Sequence, residues 1–220
     1  MAGKREVDRG AQKRADVARR PAVSGARPAA AIGFRVKTGR ATAVMLAGPA
    51  ESPHILERRS VQLWDPAVPE SHQPYHAALE LPEKEGEAVV ERACDAVRTL
   101  AIRAVRELAK ALRDRGHDLR AVALVVGSDT DASKIANPHV RAHALEGRLF
   151  RDVLEAGAKA IGSPCIVVVE REAFDKGAAA LGRRPDTLKR IVTQLGRGTV
   201  KPWGAEEKTA TLAAWMALAR

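Results

Sequence analysis

Short apolar runs separated by turn residues fill the first part of the chain. Residues 32–48 (IGFRVKTGRATAVMLAG) predict two strands about a turn at residues 37–39, and residues 54–64 predict a third strand. Residues 64–76 contain three prolines and predict a loop. Three consecutive strands with short connections indicate an antiparallel meander.

The remainder of the chain shows the periodicities of helices and buried strands. Apolar residues recur at spacings of three and four from about Lys84 to Arg115, which predicts one long helix ending at Gly116. Continuous apolar runs at residues 119–128 and 163–172 predict strands that are buried on both faces. Further helices are predicted from Pro138 onward, near residues 185–196, and from Ala205 to Ala219. This order predicts an α/β fold, with one mixed sheet and helices on both of its faces.

The composition indicates an ordinary globular protein. A chain of 220 residues suits a single domain, and with 45% hydrophobic but only 3% aromatic residues its core must consist largely of Ala, Val and Leu. Cys94 and Cys165 lie in apolar segments without metal-type spacing, which is typical of buried thiols in a reducing cytoplasm. No apolar run approaches the roughly 20 residues that span a bilayer, so we expect a cytoplasmic protein with no membrane partner.

The first 30 residues form a separate basic segment. They hold eight lysine and arginine residues against three acidic residues, and they contain no aromatic residue. Such a segment buries too little apolar surface to fold, so we predict a disordered tail followed by a single domain at residues 31–220. Part of the net charge of +10 therefore lies on an arm that could attract nucleic acid, although a solvated tail without a ligand is the alternative.

The helix predicted after Asn137 and Pro138 carries an unusual polar group. On a helical wheel His139, His143 and Glu146 fall on the apolar half, but only within its first two turns. The pattern leaves four interpretations open: a metal-ligand set, a binding or catalytic crevice, a hydrogen-bonded network, or simple exposure beyond the sheet. In the network, Glu146 would pair with a histidine or with Arg35. We take the three residues as candidate catalytic groups without a metal.

Several other polar stretches are weaker candidates. Residues 71–76 place His72, Tyr75 and His76 in one loop, which could close over the same crevice. Glu170 and Glu172 at the end of the last predicted strand could add carboxylates at that edge of the sheet. The basic, glycine-containing loop at residues 195–204 lacks the spacing of a phosphate-binding loop.

The order of elements and several segments resemble the ribonuclease H-like superfamily, in particular its Holliday-junction resolvase type. IGFRVKTGRATAV resembles the first hairpin, AVALVVGS the fourth strand, AHALEGRLFRDVLEAG the helix after it, and AEEKTATLAAWMAL the closing helix. The resemblance implies a nuclease site in which acidic residues hold divalent cations. One acid would come from the first strand, one from the end of the fourth strand, and one or two from the last helix.

This sequence departs from that pattern at each of these places. The first strand offers Arg35 and Lys37, and the fourth strand ends in Val-Gly-Ser, with Asp129 and Asp131 only in the following loop. In the last helix the wheel turns Lys208 inward and Glu206 and Glu207 away. Cations repel Mg²⁺ and attract anions, so we expect Arg35, Lys37 and Lys208 to contact nucleic acid.

The sequence therefore predicts a protein that binds nucleic acid or a phosphate-bearing ligand without the standard two-metal nuclease site. One alternative is a divergent metal-dependent nuclease using Glu146, Glu170 and Asp129, or another hydrolase using the helix histidines. A further alternative is a scaffold for protein interactions. The sequence identifies no cofactor and does not define the oligomeric state.

Overall fold

A five-stranded mixed sheet forms the centre of the computed structural model, which describes residues 26–199 and 201–220. The strand order is β3-β2-β1-β4-β5, with β1, β2 and β3 antiparallel and β1, β4 and β5 parallel. This arrangement confirms the predicted α/β fold and its initial meander. The strands are β1 (Ala29–Lys37), β2 (Arg40–Ala47), β3 (His54–Gln62), β4 (Asp118–Val126) and β5 (Cys165–Val169).

Six helices accompany the sheet in the described part of the chain. They are α1 (Pro74–Ala77), α2 (Glu83–Asp114), α3 (Pro138–Ala160), α4 (Ala173–Leu181), α5 (Pro185–Leu195) and α6 (Ala205–Leu218). The predicted helices correspond to α2, α3, α5 and α6, and Asn137 caps α3 by accepting a hydrogen bond from the Val140 backbone N–H at 3.1 Å. The sequence did not predict α4. It also extended β5 to residue 172, whereas residues 170–172 form a short 3-10 turn.

Alternate residues of the central strands pack against helices on opposite faces of the sheet. Ile32 and Phe34 of β1 belong to a core that includes residues of α2 and α3. Ala31, which precedes Ile32 and therefore points to the opposite face, belongs to a second core that includes α6 and residues of α4 and α5. Each face of the sheet is therefore covered, as strands buried on both faces require.

Helix α6 lies unusually close to β1 because only small groups separate them. A Cβ atom added to Gly33 would lie 2.1 Å from the Ala210 carbonyl oxygen and 2.2 Å from the Ala214 nitrogen. The larger side chains of α6 point elsewhere: the Trp215 indole donates a hydrogen bond to the Ala50 carbonyl at 2.7 Å. Glycine and alanine at this contact thus fix the distance between the helix and the sheet.

The inward position predicted for Lys208 is wrong. Ala210 and Ala214 face β1, and Lys208 lies about 160° around the helix from Ala210. Glu206 and Glu207, which the wheel turned away, contact the sheet through Arg40 and Arg58, respectively. The helical wheel failed because α6 is buried on nearly all sides. Its large apolar residues pack towards α4 and α5, so they do not indicate the direction of the sheet.

Three further predictions concern the basic tail, the two cysteines and the membrane. Residues 1–25 of the predicted basic tail lie outside the described residues, and β1 begins at Ala29, three positions before the predicted strand. Cys94 and Cys165 are free and half-buried, and burial raises the pKa of the Cys165 thiol to about 12. Among the described residues, no helix has the length and apolar character needed to cross a membrane.

Replacing Gly33 by alanine is expected to lower the free energy of unfolding by about 3 kcal/mol, because the added methyl group must push α6 away from β1. Urea denaturation measures this loss. Gly147→Ala is the matched control, since its added Cβ meets no atom within 4 Å and alanine favours a helix by about 1 kcal/mol. Equal stability of Gly33→Ala and the wild type would contradict the close contact.

The ion pair between Glu206 and Arg40 is expected to make stability depend on pH. The guanidinium donates to Glu206 at 2.6 and 2.8 Å, and these bonds lower the pKa of Glu206 from 4.5 to about 2. A lowered folded-state pKa stabilises the protein above about pH 4.5, and this contribution disappears as the pH falls towards 2. Glu206→Gln should therefore cost about 1 kcal/mol at neutral pH, since Arg40 is half exposed, and progressively less in acid.

Urea denaturation of the wild type and Glu206→Gln from neutral pH down to about pH 3 tests this expectation. Glu80→Gln, at an exposed position, is the control and should differ little from the wild type at any pH. A difference between the wild type and Glu206→Gln that stays constant with pH would show that the ion pair does not couple titration to folding.

Candidate functional site

A cleft opens where the parallel strands β1 and β4 end beside the first half of α3. It has a volume of about 230 Å³, and its lining includes Arg35, Lys37, Ser128 and His143. The carboxyl ends of parallel strands commonly form such crevices in open α/β sheets. The structure thus brings two of the predicted basic residues and one predicted histidine to the same place.

Arg35 forms the floor of this cleft and is fully enclosed. Its side chain is 1% exposed, and its guanidinium makes a two-point ion pair with Glu170, with Nε donating to Oε1 at 2.9 Å. The guanidinium also donates to the backbone carbonyls of Val36 and Val125. Every face of the cation is therefore occupied, so Arg35 contacts a ligand directly only if Glu170, which is 45% exposed, moves away.

The described residues do not fit the pair of divalent cations that the resemblance implies. Arg35 places a cation on β1 where a carboxylate would be needed, and β4 ends in the buried Val126 followed by Gly127. Asp129 in the next loop pairs with Arg151. The two glutamates of α6 are also engaged: Glu206 with Arg40, and Glu207 with Arg58 at 2.7 Å.

A separate cluster of polar groups lies beside the cleft, on the α3 side. Glu146 is 0% exposed, and its Oε1 accepts hydrogen bonds from the His76 backbone N–H at 3.2 Å and from His76 Nδ1 at 2.8 Å. Its other oxygen, Oε2, has no hydrogen-bond partner and lies 3.8 Å from His143 Nδ1. The pairing of Glu146 is thus with a histidine, as one interpretation of the sequence proposed, and not with Arg35.

The three candidate residues of α3 differ in exposure, contrary to the helical wheel. Glu146 is buried, His143 is 63% exposed at its side chain, and His139 is exposed. Helix α3 packs on α1, where Glu146 meets His76, whereas His143 lies at the cleft beside the ends of β1 and β4. His139 remains near the cluster, with its ring centroid 5.9 Å from that of His76.

His76 reaches Glu146 because the proline-rich loop before it is ordered. Ser71, which is fully buried, accepts a hydrogen bond from the Asp65 backbone at 2.8 Å and donates to the Val68 carbonyl at 2.5 Å. Pro74 then begins α1, which holds His76 against α3. The sequence indicated this loop only as a weaker candidate, because nothing local links residue 76 to residue 146.

The other residues of that loop lie elsewhere. His72 packs edge-on against the Trp64 ring, with 5.5 Å between the centroids. Tyr75 faces Cys94, and burial, together with the nearby Cys94 thiol, raises the pKa of Tyr75 to about 12. Neither residue joins the cluster around Glu146.

The remaining carboxylates and the basic loop have structural partners. Glu172 forms an ion pair with Lys176 at 2.9 Å, and this contact lowers the pKa of Glu172. In the loop at residues 195–204, the Trp203 indole donates to the Val192 carbonyl at 3.0 Å, and Gly204 donates to Glu207 at 2.8 Å. The structure does not bring Glu146, Glu170 and Asp129 together, because each is engaged with a different partner.

Comparison with known proteins supports the fold alone. No family model matches the chain, and no curated protein matches it. Thermus thermophilus RuvC in complex with a Holliday junction substrate is 13% identical, covers 86% of this chain and 91% of its own, and has a TM-score of 0.50. The yeast mitochondrial Holliday junction resolvase Ydc2 is 11% identical, with 89% and 81% coverage and a TM-score of 0.47. The chain has a ribonuclease H-like fold of the Holliday-junction resolvase type.

Proposed function

We propose that this protein binds nucleic acid at the carboxyl edge of its sheet and does not cleave it by the standard two-metal reaction. The observation that carries the proposal is the buried Arg35 on β1, held by Glu170 where a metal-binding carboxylate would be required. A guanidinium at this point offers no oxygen ligand to Mg²⁺, and because Glu170 offsets its charge, the exposed Lys37 supplies the positive charge that favours anions at the cleft. Loss of the metals removes cleavage but leaves the fold.

The charge around the cleft supports a polyanionic ligand. Lys37 is exposed at the rim, beside the exposed Ser128 hydroxyl, and the chain carries a net charge of +10. Lysine neutralises a phosphate as a point charge, and a hydroxyl donates to phosphate oxygens, so both groups suit contact with a nucleic-acid backbone. RuvC has been seen with a Holliday junction, which makes a four-way DNA junction the first ligand to test.

The two other functions that the sequence left open have weaker support. A nuclease built on Glu146, Glu170 and Asp129 would need these carboxylates to share a metal, and they lie in separate ion pairs or hydrogen bonds. A scaffold for protein partners remains an alternative without a specific surface to support it. The cytoplasmic location and the contribution of the basic tail stay predictions.

Purified protein is expected to retain a labelled four-way junction at low salt and to lose affinity steeply between about 50 and 200 mM salt. Lys37→Gln should weaken binding and reduce the slope of log affinity against log salt by about one, because one phosphate contact is lost. Fluorescence anisotropy measures both quantities. Lys159→Gln, at the far end of α3, is the matched control and should leave the slope unchanged.

The same complex tests the absence of the two-metal reaction. Junction, duplex and single-stranded DNA incubated with Mg²⁺ or Mn²⁺ are expected to stay intact on denaturing gels. Binding without cleavage would support the proposal, whereas metal-dependent strand cleavage by the pure protein would refute it. Failure to bind any of these ligands, or RNA, at low salt would also refute it.

The role of Glu170 as counter-ion to Arg35 predicts an asymmetry between two substitutions. Glu170→Ala should destabilise the fold by about 3 kcal/mol, because it leaves a buried guanidinium without its carboxylate. Arg35→Met should cost less, about 1 kcal/mol, since it leaves only a half-exposed carboxylate. Urea denaturation compares the two variants, and equal losses would contradict the proposed dependence.

A further inference from the structure

The buried carboxylate of Glu146 is incompletely satisfied. Its side chain is 0% exposed, and Oε2 has no hydrogen-bond partner, although Oε1 accepts two bonds from His76. No lysine or arginine among the described residues forms an ion pair with this carboxylate. An unsatisfied buried oxygen is costly, and such atoms in a folded protein usually indicate a missing partner.

The two histidines place ring nitrogens beside the two oxygens of that carboxylate, His76 beside Oε1 and His143 beside Oε2. Ligand atoms of His76, His143 and Glu146 all lie within 4.8 Å of one another. In a tetrahedral zinc site, bonds of about 2.0–2.2 Å place neighbouring ligand atoms about 3.3 Å apart. His76 Nδ1 lies 2.8 Å from Oε1 and His143 Nδ1 lies 3.8 Å from Oε2, so one distance is shorter and the other longer than this separation.

The three side chains differ in exposure in a way that suits the binding of an ion. Glu146 is fixed in the core, and His76, at 19% side-chain exposure, is held against it by α1. His143 is largely exposed, so a rotation of its imidazole completes the set without a change in the backbone. The site needs only small side-chain movements, not refolding.

We propose that His76, His143 and Glu146 bind one Zn²⁺ ion at the wall of the cleft. Two imidazoles and one carboxylate suit zinc or a similar transition metal, whereas Mg²⁺ and Ca²⁺ prefer oxygen ligands. The ion compensates the buried Glu146 charge, and its fourth position is open to solvent or to a phosphate oxygen of a ligand. This site lies on the α3 side of the sheet edge, apart from Arg35, and does not depend on nucleic-acid binding.

The metal-ligand set suggested by the sequence, His139, His143 and Glu146, differs from the group in the structure at one residue. It paired His139 with His143, one helical turn apart, but the structure leaves His139 outside the group of three. The third ligand is His76, from α1. His139 therefore provides a matched control, since it lies on the same helix, is exposed and belongs to the same residue type.

The test uses full-length protein freed of metal by chelation and titrated with ZnCl₂ by calorimetry. One ion per chain is expected, with a rise in melting temperature on binding and no comparable effect of MgCl₂. His143→Ala and Glu146→Gln should lower zinc affinity more than about 100-fold, beyond the 10- to 100-fold cost of losing an outer-shell contact. His139→Ala should bind zinc as the wild type does, because His139 lies outside the group of ligand atoms.

Visible absorption of bound Co²⁺ provides an independent test of the same site. Co²⁺ titration should give the visible absorption of a four-coordinate ion in the wild type and in His139→Ala, but not in His143→Ala. Far-ultraviolet circular dichroism of the metal-free variants checks that the fold is retained, and the exposed position of His143 makes that variant the decisive one. The proposal is overturned if no stoichiometric zinc binds, if His143→Ala binds as well as the wild type, or if His139→Ala loses as much affinity.

Discussion

The ion pair between Arg35 and Glu170 determines the chemistry that the carboxyl edge of this sheet can support. A guanidinium that is 1% exposed needs a carboxylate and backbone carbonyls around it, because an uncompensated charge in the core is very costly. The pair spans from β1 across the end of β4 to the turn after β5, and so ties three parallel strands together. The same pair places a guanidinium, which is not a metal ligand, on the first strand at this edge.

Helix α6 packs directly on β1, the strand that carries Arg35. Gly33 allows the backbone of the helix to rest on the strand, and Glu206 and Glu207 then reach Arg40 and Arg58 on the neighbouring strands. Acids on the last helix thus serve as counter-ions for arginines of the sheet. Glu170, Glu206 and Glu207 are each paired with an arginine, whereas Glu146 is paired with His76.

The sequence predicted the fold well because strand order and helix periodicity are local signals. It also located the unusual part of α3, since the wheel showed polar residues within the first two turns only. It could not predict that His76 contacts Glu146, because the two are 70 positions apart and only the packing of α1 on α3 joins them. It misplaced Lys208 and Glu207 because a helix buried on every side has no single apolar stripe from which to infer the direction of the sheet.

Arg35 and Glu146, the two buried charged residues at this edge, differ in how fully they are hydrogen-bonded. Each nitrogen of the Arg35 guanidinium group has an acceptor, whereas Glu146 has an oxygen without a donor and lies beside the exposed His143. A ligand added to the cleft would therefore change the α3 side much more than the β1 side. Lys37 on β1 and a metal ion held by α1 and α3 would both add positive charge to the cleft, so the two proposals favour a ligand of the same sign although each can fail without the other.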